Sequence, residues 1–119
     1  MKLLLKFILF FLLLTNISNA DLLKPNTTLK PIDVLTIQLN SLKNNDSPYK
    51  DAGIKQTWEF AHPNNKNATG PLEKFKKMIY SENYQLLIDH KNYEILVLNE
   101  SKNTLVYKVY ILSKNKKKY

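Results

Sequence analysis

The chain has no cysteine, no arginine and only two glycines in 119 residues. Without cysteine there are no disulfides and no thiolate metal sites. All 18 basic residues are lysines, so there is no bidentate guanidinium fork for phosphate or guanine, and specific nucleic-acid recognition is not expected. Gly53 and Gly70 stand alone, which excludes a glycine-rich phosphate cradle. The two histidines, His62 and His90, lie 28 positions apart and match no metal-ligand spacing. No metal and no other cofactor is expected. The serines sit in no nucleophile-elbow context.

What is present begins with a leader. "MKLLLKFILFFLLLTNISNA" has a basic start at Lys2 and Lys6, an apolar run of eight residues from Phe7 to Leu14, and small residues at Ser18 and Ala20. The run is far short of the roughly 20 residues that span a bilayer as a helix. The pattern is that of a signal peptide over residues 1–20, cut between Ala20 and Asp21. The expectation is an exported protein, periplasmic or secreted.

Removing 20 residues from 119 leaves 99, room for one small domain. Those 99 residues carry 16 lysines against 10 acids, a net +6, and Lys114, Lys116, Lys117 and Lys118 supply four of the positive charges. Residues 114–119 therefore read as a Lys-rich tail that solubilises the chain end, with weak contact to an anionic membrane as the sharper alternative.

Residues 21–30 form a polar lead-in without periodicity. From Pro31 a helix is expected: proline suits a first turn, Asp33 suits the positive end of the macrodipole, and Ile32, Leu35, Leu39 and Leu42 recur at helical spacing. Part of this stretch, "LTIQLN", also alternates as a strand would, but length and the proline start decide for the helix. Asp51 is placed to cap a short helix carrying Ile54, Trp58 and Ala61 on one face, which must stop near His62 because Pro63 follows. "PNNKNAT" reads as a loop. A third helix starts at "TGPLE", with Leu72, Phe75 and Ile79 as its buried stripe and Met78 beside it.

Beyond "YSENY" the character changes. "YEILVL" (93–98) and "TLVYKVYILS" (104–113) are rich in β-branched and aromatic residues and predict a β-hairpin. "YQLLI" (84–88) reads either as a third, edge strand or as an extension of the preceding helix. In the last strand Leu105, Tyr107, Val109 and Ile111 share one face, while Val106, Tyr110 and Leu112 share the other with Lys108, so both faces are apolar. Three helices followed by strands predict an α+β fold, the helices packed on one face of a short, curved antiparallel sheet. The domain would run from 31 to 113. A partner, further strands or a ligand would cover the other face.

The residues Asp51-Ala52-Gly53-Ile54, Thr57-Trp58, Phe60-Ala61, Pro63, Asn65 and Thr69-Gly70-Pro71-Leu72 with Phe75 resemble the signature of a family of uncharacterised bacterial, algal and plant proteins. That domain-of-unknown-function family is similar to the nuclear-transport-factor-two-like cone fold. The likeness extends over residues 31–98, upstream through Val34, Gln38, Leu39 and Leu42. It implies three helices wrapped by a strongly curved sheet, with a pocket between them. It carries over no catalytic residues. Two or three strands are fewer than a cone usually has, so closure of that pocket is in question.

Two function classes follow. The favoured one is a non-enzymatic exported module that binds a small molecule or a partner protein through its concave or uncovered sheet face, with Trp58, His62 and Tyr107 as candidate contact residues. A homodimer formed through the sheet is a further candidate. The alternative is a small cone-fold enzyme of the isomerase or dehydratase kind, with His62 as general base. Asp89-His90, adjacent in sequence, cannot readily form a dyad because strand neighbours point to opposite faces.

Overall fold

A computed structural model describes residues 22–119. The leader read over residues 1–20, and the cut after it, lie outside the described residues. The described residues are α+β: four helices, a 3₁₀ turn and a two-stranded antiparallel sheet, in that order.

Helix α1 (Pro31–Lys43) begins where Pro31 fixes the first turn and Asp33 turns back to accept the Lys30 backbone N–H at 2.8 Å. Only its second half is buried, at Leu39 and Leu42. The lead-in lies along helix α2 (Ala52–Glu59). Gln56 pairs with both backbone polar groups of Leu23, at 2.8 and 2.9 Å, and Lys24 meets Glu59 at 3.0 Å.

Helices α1 and α2 approach so closely at Gly53 that a Cβ there would sit 2.0 Å from the Ser41 carbonyl oxygen. Ile54, fully buried, follows at once. Asp51, just before α2, has left-handed backbone geometry, φ 61°, and its side chain makes no cap hydrogen bond, contrary to the role expected of it.

The segment read as a loop is helix α3 (Pro63–Thr69). No residue of it is buried, so it offered no apolar stripe to detect. Its ends define it instead. Pro63 opens the first turn, His62 Nδ1 accepts the Asn64 N–H at 3.1 Å, and Gly70 stops it at φ 77°. Helix α4 (Leu72–Ile79) buries Phe75 and Ile79 with Met78 beside them as expected, while Leu72, read as part of the buried stripe, is only half-buried against them. Residues 84–88 are neither strand nor continued helix. A 3₁₀ turn (Gln85–Leu87) delivers Leu87 and Ile88 to the core, and the Asp89 N–H caps the Leu42 carbonyl at 2.9 Å.

The core unites Leu42, Ile54, Phe75, Ile79 and Ile88, with Trp58, Leu72, Met78 and Leu87 around it. Every one of these comes from a helix or the turn. The expected layer of helices on a sheet is thus reduced to attachment at one end. Strands β1 (Asn92–Glu100) and β2 (Leu105–Leu112) form a hairpin joined to the helices at its base, where Tyr93 donates to Asn40 at 2.9 Å and Ile111 is buried. Residues 114–119 do not trail away. They turn back beside β2, and Ile111 exchanges two backbone hydrogen bonds with Tyr119, at 3.0 and 3.1 Å.

Candidate functional site

Cross-strand partners set the two faces of the hairpin. Tyr93 opposes Ile111, Ile95 opposes Val109 and Val97 opposes Tyr107, and this inner face is covered at the base and opens toward the tip. On the outer face Asn92 opposes Leu112, Glu94 opposes Tyr110 and Leu96 opposes Lys108. Five of these six outer residues are exposed, and Leu112 is half-buried. The register shifts between Val97 and Asn99, after which Val106 is also exposed.

Leu96, Val97 and Leu98 are 43%, 59% and 61% exposed, with Val106 and Tyr110 at 42% and 41%. Val97 belongs to the inner face and the others to the outer side or the register shift, so exposed apolar groups interleaved with charge lie on both sides of the ribbon, as binding surfaces often present them. At its base lies a shallow groove of about 400 Å³, lined by Asn92, Glu94, Tyr110, Leu112 and Lys118 among others. Lys108 places its ammonium 5.0 Å from the Tyr110 ring centroid. The arrangement offers an apolar floor, one carboxylate and two ammoniums.

The residues singled out from sequence are not brought together there. Trp58 is half-buried against the helical core, its indole N–H lacks a partner among the described atoms, and Lys66 lies 4.3 Å from its ring centroid. His62 is exposed, and its Nδ1 is engaged as the cap of α3. General-base work would need an inward-facing ring with an orienting partner, and this position has neither. Tyr107 is half-buried on the inner face of the hairpin. Asp89 is exposed whereas His90 is 2% exposed and donates from Nδ1 to the Leu87 carbonyl at 2.6 Å, so the adjacent pair does point apart.

A polar cluster that sequence reasoning missed lies between α2 and α4. The Asp51 carboxylate accepts hydrogen bonds from the Tyr80 hydroxyl and from Asn45 Nδ2, the latter at 3.0 Å, and Lys76 approaches to 3.8 Å. Burial alone would raise the Asp51 pKa, but the bonds from Tyr80 and Asn45, with Lys76 and Lys50 nearby, outweigh it and hold the carboxyl below its ordinary value. The same bond to Asp51, with burial, pushes Tyr80 up to about 12. Asn45, 1% exposed, also accepts the Ile54 N–H through its side chain and the Gly53 N–H through its backbone. The cluster is saturated by its own members and acts as a lock on the loop before α2. Only its long-range geometry reveals it, since Asp51 and Tyr80 are 29 positions apart.

Among the described residues no group of three His, Cys, Asp or Glu side chains could hold a metal ion, and no helix is long and apolar enough to cross a membrane. No family model, curated protein or solved structure matches the chain.

Proposed function

We propose that this protein is a non-enzymatic binding module that engages a small molecule or a partner through the outer face of its β-hairpin. One observation carries the reading: Leu96 and Leu98 with Val106 and Tyr110 stay exposed, as does Val97 at the open end of the inner face, on a hairpin that among the described residues contributes nothing to the hydrophobic core cluster. A two-stranded ribbon is marginal in water by itself and gains stability from whatever covers it. The alternative of a His62-based enzyme has no geometric support.

The cone-like reading belongs to the same proposal. Its support is the order of helices before strands and the extra pairing of Tyr119 with Ile111 beside β2; a closed cone would need further strands. Export is proposed on the leader pattern of residues 1–20.

The test is amide chemical-shift mapping during titration with a zwitterionic amphiphile, dodecylphosphocholine, below its micelle concentration. Perturbations confined to residues 92–112 are expected. Perturbations centred on α1, α2 or α4 would move the binding surface elsewhere and end the proposal.

A further inference from the structure

We infer that the occupant of the exposed hairpin, its outer face together with the open end of its inner one, is an anionic phospholipid surface. The inference rests on reading that face as the binding surface and adds the chemistry of what covers it. Charge is the first ground. Residues 91–119 hold seven lysines against Glu94 and Glu100, a net +5, whereas residues 22–90 hold nine lysines against seven acids, a net +2. All seven hairpin and tail lysines are exposed, and among the described residues none pairs with a carboxylate. Unpaired ammoniums spread over the hairpin, its turn and the tail that folds back beside it create a positive field whose complement is a polyanion. Two copies meeting face to face would bring two such fields together, which disfavours a second copy as the occupant.

The apolar side chains decide which polyanion. Leu96, Val97 and Leu98 are exposed in succession, and consecutive strand residues point to opposite faces. The middle of the ribbon is therefore apolar on both sides. A folded protein partner covers one side. A layer of headgroups over acyl chains admits apolar groups from both, while lysine stems reach outward to the phosphates. Binding of single-stranded nucleic acid would call for a row of aromatic platforms, but Tyr107 is half-buried and the exposed tyrosines here are two, Tyr110 on β2 and Tyr119 at the folded-back tail. Cation and hydrocarbon alternate on the same face: Lys108 lies directly opposite Leu96, and Lys118 borders the groove beside Tyr110 and Leu112.

The test is co-flotation of the protein, purified from an exporting host, with phosphatidylcholine vesicles that contain or lack phosphatidylglycerol. Every variant carries the same N-terminus, so differences between variants report the hairpin. Binding to the anionic vesicles should be at least about tenfold stronger than to the neutral ones and should weaken as salt is added. The pair Lys108→Glu with Lys118→Glu, and separately Leu96→Ser with Val97→Ser, should each lower it by about tenfold. The same charge change on α4, Lys74→Glu with Lys77→Glu, should alter it by less than about twofold. All these positions are exposed, and matching circular dichroism and melting temperatures will confirm that the variants fold.

Equal binding to neutral vesicles overturns the inference. So does binding to single-stranded RNA that depends on the lysines and not on Leu96 and Val97, or a dimer in sedimentation that Leu96→Ser with Val97→Ser dissolves. If no vesicle binds at low salt while the amphiphile still perturbs residues 92–112, the lipid occupant is lost and the binding surface stands. Loss of both removes both.

Discussion

Tyr80 donates its phenol hydrogen to the Asp51 carboxylate and so joins the end of α4 to the residue before α2. Asn45 supplies a second donor to the same carboxylate at 3.0 Å. Tyr80→Phe keeps the ring and removes the hydroxyl, which donates to Asp51 and accepts from Asn45 Nδ2 at 3.4 Å, leaving a largely buried carboxylate with one bond fewer. Unfolding in urea should show a loss of about 1–2 kcal/mol. Phenylalanine at Tyr84, a similarly exposed position whose hydroxyl makes no such bond, should be neutral within about 0.5 kcal/mol.

The same pair sets the dependence of stability on pH. Asp51 titrates below its ordinary 3.8 in the folded chain, so its contribution is complete above that value and is lost as pH falls through the lower folded one. Tyr80 is raised from 10.0 to about 12, so its contribution is complete below pH 10 and is lost as pH rises toward 12. Tyr80 is 46% exposed, and with solvent screening the alkaline loss should be on the order of 1 kcal/mol. Melting temperature followed from neutral to alkaline pH should fall less for Tyr80→Phe than for the parent chain. An identical alkaline decline in both would refute the assignment.

Gly53 is fixed by space rather than by backbone dihedral angle. A Cβ there meets the Ser41 carbonyl at 2.0 Å, and both partners are helix backbone that cannot swing aside. Gly53→Ala should cost about 3 kcal/mol, against the usual preference for alanine within a helix. Denaturant midpoints of the two proteins measure this directly.

His62 should behave as a cap. His62→Ala removes the acceptor for the Asn64 N–H and should cost about 0.5–1 kcal/mol, and His62→Asn should recover most of it. Because α3 buries no residue, the loss should show as faster amide exchange within residues 63–69 and little change in the global melt.

What the sequence made legible was whatever carried an apolar period or a sharp terminus. Pro31 with Leu39 and Leu42 announced α1, Phe75 and Ile79 announced α4, and β-branched alternation announced both strands. The apolar character of the outer hairpin face could also be read, since Val106 and Tyr110 alternate with Leu105, Tyr107 and Val109. Residues 63–69 were misread because an Asn-rich helix without a buried stripe has only its end signals. Residues 84–88 are ambiguous in sequence because Ile88 is buried, and Leu87 half-buried, in a cluster with Leu42 that no local window contains. Asp51 has the composition of a helix cap, yet Tyr80 and Asn45 claim its carboxylate from elsewhere in the chain. Trp58, His62 and Tyr107 lie against the helical core, at the start of α3 and on the inner face of the hairpin, and no local window of sequence says which surface each side chain joins.

The shift of register between Val97 and Asn99 has an effect on self-association. An unbroken nine-residue margin of open backbone groups would be a template for copying itself, strand upon strand. The bulge bends and overtwists β1 two-thirds of the way along, so an incoming straight strand loses pairing there. At the opposite margin Tyr119 already occupies the groups of Ile111. The ribbon can therefore display bare hydrocarbon while resisting growth into a fibre.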